Sequence, residues 1–250
     1  MKKGSTETRV DLRRLASSAF FAGLRGNEIG HVVSQASTVH KPKGAWILRQ
    51  GEPSKHFCLL LDGSASIHHI TPDGTDVLLR FMAPLEIFGY RSIDPQGVQL
   101  TSVQANQDSR CLAWPGPIMR QMFITHPQLA INAFQIASAH MFEFEIRYRD
   151  LATETVEKRV ARILLDLAGR MGRRQDDVIV LEGGVLEKDI GQMTGASVFS
   201  VSRIFAAWRR NGILRRARGR ILLRDLENLR RIAASAIAAT LGTLAANSGL

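Results

Sequence analysis

The stretch GQMTGASVFSVSRIFAAWRRNGIL, residues 191–214, holds a helical apolar spacing that stops for four residues and then resumes. Ile190 and Met193 lie three apart, as do Val201 and Ile204, and Thr194, Gly195, Ala196 and Ser197 stand between the pairs. So short a gap forces the second helix straight back across the first. Gly195 suits the turn, because a positive φ is cheap only for glycine. Ser197 suits the N-cap of the second helix, where its hydroxyl accepts an otherwise orphaned N–H. Gly191 is small where the second helix is expected to cross closely. With a first helix over 187–194, every position of a helix-turn-helix carries a fitting residue type.

The charge that follows indicates what such a pair touches. Between Arg203 and Arg224 there are eight arginines and no acid. Residues 151–250 carry 17 Lys/Arg against 10 Asp/Glu, whereas the first 150 carry 16 against 13, so most of the chain's net charge of +10 lies in the C-terminal part. A basic block within a folded segment is the footprint of a polyanion partner. A second helix of this kind enters the DNA major groove by its N-terminal turns, which here carry Ser197, Val198, Phe199, Ser200, Ser202 and Arg203. Arg203 suits bidentate bonds to guanine O6 and N7, and Ser200 and Ser202 suit phosphates or base edges. Val198 and Phe199 offer only apolar contact, for instance to a thymine methyl; for Phe199, packing on a neighbouring helix is the alternative. GILRRARGRILLRD then reads as strand, Arg-Gly turn, strand. This is a wing whose Arg215, Arg216, Arg218 and Arg220 would lie on phosphates and supply salt-dependent affinity.

Upstream, residues 1 to about 30 read as short helices with apolar Leu12, Leu15, Phe20, Phe21 and Leu24. From Val39 to Trp114 short alternating runs are separated by turn signals: a Gly-Glu-Pro turn after AWILRQ, a strand pair around Asp62-Gly63, and Pro-Asp-Gly between two strand-like runs. Such punctuation predicts a small antiparallel barrel or roll. From Pro127 the period changes. Ala130, Phe134, Ala137, Met141, Phe144, Tyr148, Leu151 and Thr155 alternate spacings of four and three, a heptad seam on one long helix. A parallel dimer interface through Phe134, Ala137, Met141, Phe144, Tyr148 and Leu151 is expected, with a core helix of one chain as the alternative. A break near Thr153 to Thr155 is the expected hinge, with Thr155 as cap of the next helix, VEKRVARILLDLAGRMG.

Other classes are disfavoured. With two cysteines, Cys58 and Cys111, neither a disulfide framework nor a four-cysteine metal site forms. The N-terminus MKKGSTETRVDLRRL has no apolar stretch for a signal peptide, so the cytoplasm is the default. The Ala-rich tail 233–250 is only mildly apolar and is expected as a loosely attached helix, not a membrane span. No phosphate-cradling glycine loop, metal-ligand spacing or nucleophile motif suggests an enzyme. Apolar content of 45% and 22% charged residues suit a globular protein.

Taken in order, the glycine-marked motifs RQGEPS, LLLDGSASI, PDGTDVLLRFM and EIFGY, followed by ARILLDLAG, DIGQMTGASVFSVSRIFAAWRRNGIL and the basic wing, resemble the CRP/FNR superfamily of bacterial transcription regulators over residues 20–232. The resemblance implies an α+β chain: an N-terminal antiparallel β-roll of the cyclic-nucleotide-binding type, a long dimerisation helix and a C-terminal winged helix-turn-helix. It implies a homodimer on a near-palindromic site in double-stranded DNA, with RNA polymerase as a further partner and no membrane. The expected division is 1–126 for the sensory roll with its flanking helices, 127–154 for the dimerisation helix and hinge, 155–232 for the winged helix-turn-helix and 233–250 for the tail.

The departures from the family pattern bear on the effector. Cyclic-AMP-binding members resemble one another in a phosphate cassette, Gly-Glu-Leu followed by Arg-Ser or Arg-Ala. Here Gly89-Tyr90-Arg91 stands at the first part and Gln99-Leu100-Thr101-Ser102 at the second, so the ribose-binding carboxylate and the phosphate-neutralising arginine are both missing. Burying a cyclic phosphate without a cation is costly. The effector pocket is assigned to Gly89, Tyr90, Arg91 and Thr101, its ligand unknown and expected not to be cyclic AMP. The clustered N-terminal cysteines of the iron–sulfur branch are missing, so no such cluster is expected. A haem would need an axial His, Cys or Met; His31, His40, His56, His68, His69, Cys58 and Met82 are available without distinctive spacing. The alternative to a DNA-binding regulator is a cyclic-nucleotide-sensing module that acts through a protein partner.

Overall fold

The computed structural model describes residues 10–217 and 219–234; Arg218 of the wing and almost all of the Ala-rich tail lie outside the described residues. The chain forms two compact units, residues up to 64 with 82–141, and 65–81 with 142 onward.

The first unit opens with α1 (Leu12–Ala16), a short 3-10 turn (Ala19–Phe21) and α2 (Gly26–Ser34). Its strands are β1 (Ser37–Lys41), β2 (Trp46–Leu48) and β3 (His56–Asp62). The chain then makes the hairpin strands β4 (Ala65–Ile70) and β5 (Asp76–Met82), most of which belong to the second unit. Back in the first unit come β6 (Ile87–Phe88), β7 (Ser102–Ala105), β8 (Ser109–Pro115) and α3 (Gly116–Thr125). One antiparallel sheet runs β1-β8-β3-β6, with Leu59 opposite Leu112 on one side and Ile87 on the other, and β2 pairs with β7. Sequence patterning predicts a strand pair around Asp62-Gly63, and both strands form, but they do not pair with each other; β3 lies between β8 and β6. All five residues Phe57 to Leu61 are buried, so β3 is covered on both faces and shows no alternation.

The core of this unit is aromatic. Phe57 lies 5.4 Å from Phe20 and 6.4 Å from Trp114, ring centre to ring centre. Trp114 Nε1 donates to the Val32 carbonyl (2.7 Å), which fastens α2 to the sheet. The long helix α4 (Pro127–Thr153) begins here. Its buried Asn132 donates to the carbonyls of Phe20 (2.9 Å) and Ala22 (2.8 Å), satisfying backbone groups that the short helices leave orphaned.

In the second unit the last turns of α4 are followed by α5 (Val156–Met171), β9 (Gly172–Gln175), β10 (Val178–Leu181), α6 (Glu187–Thr194), α7 (Val198–Arg210), β11 (Leu214–Ala217), β12 (Arg220–Leu223) and α8 (Leu226–Ala233). The Thr155 side chain caps α5 by accepting the Lys158 N–H (3.4 Å). The α4–α5 junction is cross-linked: Arg162 pairs with Asp150 and Glu154, and Arg159 Nη1 donates to the Glu154 carbonyl (2.7 Å). The sheet order is β11-β12-β10-β9. Leu78 and Phe81 of β5 join a core built from Val160, Leu164, Ile190, Val201, Phe205, Trp208 and Leu229. Strand β9 was not legible from the sequence, because all four of its residues are exposed and carry no apolar alternation. Among the described residues, no helix is long and apolar enough to cross a membrane.

Candidate nucleic-acid interface

Helices α6 and α7 meet as the sequence spacing predicts. Gly195 closes α6 in the left-handed region (φ 61°). Ser197 Oγ caps α7 by accepting the Ser200 N–H (3.1 Å). Gly191 lies under the turn and the first residue of α7, Val198, whose backbone N would stand 3.7 Å from a Cβ at this position. A Cβ there would stand 2.9 Å from the Ala196 carbonyl oxygen, so it makes room for the turn itself, whose Ala196 N–H donates back to the Gly191 carbonyl (2.9 Å). Val201 is fully buried against the α6 side, and Thr194 is buried with its hydroxyl donating to the Ile190 carbonyl (2.6 Å).

The opposite face of α7 is open. Val198 is 51% and Phe199 71% exposed, so among the described residues Phe199 is not packed into a neighbouring helix. Arg203 is exposed one turn later, its guanidinium carbon 5.9 Å from the Phe199 ring centre. Ser200 and Ser202 are half-buried, and the Ser200 hydroxyl lies 3.0 Å from that of Ser197. On the wing strands β11 and β12, Arg215, Arg216 and Arg220 are exposed, with Ala217 facing Arg220 across the ladder.

Two acids shape this region, and neither was singled out from the sequence. Glu187, largely buried at the start of α6, takes Arg209 (3.5 Å) and Arg216 (3.3 Å) on one carboxylate oxygen, which ties α7 and the wing to α6. Arg216 therefore has a partner within the chain. Asp189 accepts the Leu186 N–H (2.8 Å), and burial pushes its carboxyl above the usual range.

A third contact links α6 to the β4–β5 hairpin. Gln192 Oε1 accepts the Leu78 N–H (3.2 Å) and its Nε2 donates to the Asp76 carbonyl (3.0 Å), so one side-chain amide imitates a neighbouring strand. Arg147 Nη1 donates to the Leu79 carbonyl (2.8 Å) and Arg170 Nη2 to that of Phe81 (3.1 Å), which extends the same edge. Burial pulls the Arg147 guanidinium below its ordinary value, opposed by Asp166. Gln192→Ala is expected to speed hydrogen exchange at the buried Leu78 amide about two- to twelvefold, the loss of one net hydrogen bond. Unchanged exchange at Leu78 would show that the clamp contributes nothing.

Residues 38–126 match the family described as cyclic nucleotide-binding domain, and residues 158–232 match the Crp-like helix-turn-helix domain. The chain belongs to the CRP/FNR superfamily. This CRP/FNR chain is 26% identical over 217 residues, 87% of its length and 97% of the relative's, to the CRP-like cAMP-activated global transcriptional regulator of Mycobacterium tuberculosis. It is 24% identical over 172 residues, 69% of its length and 70% of the relative's, to the transcriptional activator protein FnrA of Stutzerimonas stutzeri. In fold it resembles FixK2 from Bradyrhizobium japonicum, with a TM-score of 0.70 at 21% identity over 80% of this chain and 98% of that one. The CRP/FNR chain is thus a transcriptional regulator with a helix-turn-helix DNA-binding domain, not an enzyme.

The other candidate residues of this CRP/FNR regulator are placed as follows. Along α4, Phe134 (73%), Met141, Phe144, Tyr148 (78%) and Leu151 are exposed, and Ala137 is half-buried; Ile131, one turn earlier, is exposed as well. In the assigned effector pocket, Gly89 is left-handed (φ 78°), and Tyr90 packs edge-on against Phe57 at 5.8 Å, as part of the aromatic core. Arg91 points to solvent and pairs with Asp94 (3.5 Å). Thr101 is half-buried, and the neighbouring Gln99 is buried with its Nε2 donating to Ser54 Oγ (2.7 Å). Of the axial-ligand candidates, His31, His40 and His56 are exposed, His69 is half-buried, and Met82 is buried. His68 lies between Ser66 Oγ (2.7 Å) and Asp76 Oδ1 (2.8 Å). Burial raises the thiols of Cys58 and Cys111, the latter to about 12, so both are protonated near neutral pH and neither is a ready thiolate ligand.

Proposed function

We propose that the chain is a cytoplasmic, homodimeric, sequence-specific regulator that binds a near-palindromic operator. The observation that carries this reading is the open, acid-free N-terminal face of α7 with Arg203 exposed, in a domain whose wing strands also expose Arg215, Arg216 and Arg220. The exposed apolar seam on α4 supports a two-fold pairing of identical chains, which places half-sites about one helical turn apart. RNA polymerase is the further partner in this scheme. Ser197, Val198, Phe199, Ser200, Ser202 and Arg203 face the groove, while Arg215, Arg216, Arg218 and Arg220 hold phosphates.

The effector belongs to the N-terminal unit. The Mycobacterium tuberculosis relative is named as cAMP-activated, but here Arg91 turns to Asp94, and the neutral Gln99 is engaged with Ser54. Both features support an effector other than cyclic AMP. Its action requires only different affinities for two states of the regulator.

The test needs no known operator. The free protein is expected to sediment at twice the chain mass. Its affinity for a generic duplex is expected to fall with salt, each phosphate contact adding about −0.9 to the logarithmic slope. The triple variant Arg215→Ala, Arg216→Ala, Arg220→Ala is expected to flatten that slope by about two to three. A monomer, or a slope that the triple variant leaves unchanged, would overturn the proposal.

A further inference from the structure

Helix α7 presents few groups that read bases by hydrogen bonds. Over Val198–Arg210 there is no carboxylate to accept from cytosine N4 and no Asn or Gln to pair with adenine. Ser200 already lies against the capping hydroxyl of Ser197. What the first turn offers instead is apolar surface, Val198 and Phe199, both left in solvent. Large exposed apolar side chains at the rim of a charged face mark a contact surface. The one apolar group on the floor of the major groove is the C5 methyl of a pyrimidine.

Phe199 and Arg203 lie four residues apart on one helix face, with the guanidinium resting near the ring. Four residues of helix rise about 6 Å, which corresponds to about two steps of duplex at 3.4 Å each. The aromatic ring also restricts the arginine, since a guanidinium is held over an aromatic face.

We infer that Val198 and Phe199 read the C5 methyl of a pyrimidine lying within two base pairs of the guanine that Arg203 contacts, and that the regulator therefore discriminates methylated from unmethylated pyrimidines. Thymine and 5-methylcytosine both carry the group that is read; uracil and cytosine lack it. The inference rests on the DNA-binding reading above and adds its specificity.

The experiment starts from a random duplex library, from which the full-length protein selects its sites. The guanine read by Arg203 is the position whose preference is lost in a parallel selection with Arg203→Ala. The selected duplex is then resynthesised with deoxyuridine at each thymine within two pairs of that guanine. A further pair of duplexes carries cytosine or 5-methylcytosine at the same position. One uracil is expected to weaken wild-type binding about fourfold, the factor given by one buried methyl at about 0.8 kcal/mol. 5-Methylcytosine is expected to bind about fourfold more tightly than cytosine on the same grounds. Phe199→Ala, which truncates an exposed side chain, is expected to keep its fold by circular dichroism and to lose both differences. A selected motif at which every uracil is neutral, or at which Phe199→Ala responds like the wild type, would overturn methyl reading while leaving DNA binding intact. No enrichment by the wild type would overturn the DNA-binding reading itself.

Discussion

Arg203→Ala is expected to lose about 1–3 kcal/mol of base discrimination at each half-site, hence about 2–6 kcal/mol over a two-fold complex, while binding to random duplex falls only slightly. The reason lies in what the side chain does and does not touch. Arg203 is exposed, contacts the Phe199 ring and sits on a helix whose cap, buried face and packing do not involve it. Its removal therefore leaves the fold within about 0.5 kcal/mol, as for ordinary surface positions. The measurement is a competition titration of the selected duplex against a scrambled one, with thermal melting as control. Arg203→Lys separates charge from geometry. It keeps the cation and the salt slope but lacks the planar fork that engages O6 and N7 together, so it is expected to lose specificity almost as fully as alanine. A variant with undiminished sequence preference would move the readout elsewhere.

How far the chain was legible before its structure depended on the kind of signal. The helix-turn-helix could be read because each of its positions demands a chemical type: a glycine at positive φ, a hydroxyl at the cap, apolar residues at helical spacing. All three are found at Gly195, Ser197 and Val201. The long helix was legible for the same reason, since the apolar seam of α4 repeats over many turns, and its large residues Phe134, Met141, Phe144, Tyr148 and Leu151 remain exposed. The strands of the roll were legible as strands, through their turn residues. Their pairing was not: β3 and β4 flank a two-residue turn signal yet do not pair with each other, because the partners of a strand are chosen by tertiary packing. Burial on both sides likewise hid the face of β3.

The polar cross-links left no sequence trace at all. Glu187 gathers Arg209 and Arg216 from two other elements, and Gln192 reaches a strand more than a hundred residues earlier in the chain. An isolated acid or amide on a helix looks the same whether it is solvated or bonded across the fold. Tyr90 carries a packing role that its sequence position does not announce. It falls within the aligned effector cassette, yet its ring serves the core against Phe57.

Trp208→Ala is the substitution expected to damage the DNA-binding unit most, by about 3–5 kcal/mol, the range for truncating a large core aromatic. Trp208 is 2% exposed, stacks on Phe205 with ring centres 6.2 Å apart, and lies among Leu164, Val201 and Ile213 of one continuous core. Its indole N–H donates to Glu157 Oε1 (3.0 Å), linking the end of α7 to the start of α5. Removing the ring leaves a cavity beneath the recognition helix, and the surrounding helices, held by the Gly195 turn and the Glu187 ion pairs, collapse into it only in part. Trp208→Phe isolates the hydrogen bond. It keeps most of the apolar volume and is expected to lose about 1–2 kcal/mol, because Glu157 is exposed and regains water as its partner. Thermal melting of the two variants would order them as alanine far below phenylalanine, with phenylalanine slightly below wild type. DNA affinity should follow the folded fraction, since neither substitution alters a group on the open face of α7. Equal melting temperatures for wild type and Trp208→Ala would mean that the core beneath α7 is not what holds Arg203 in position.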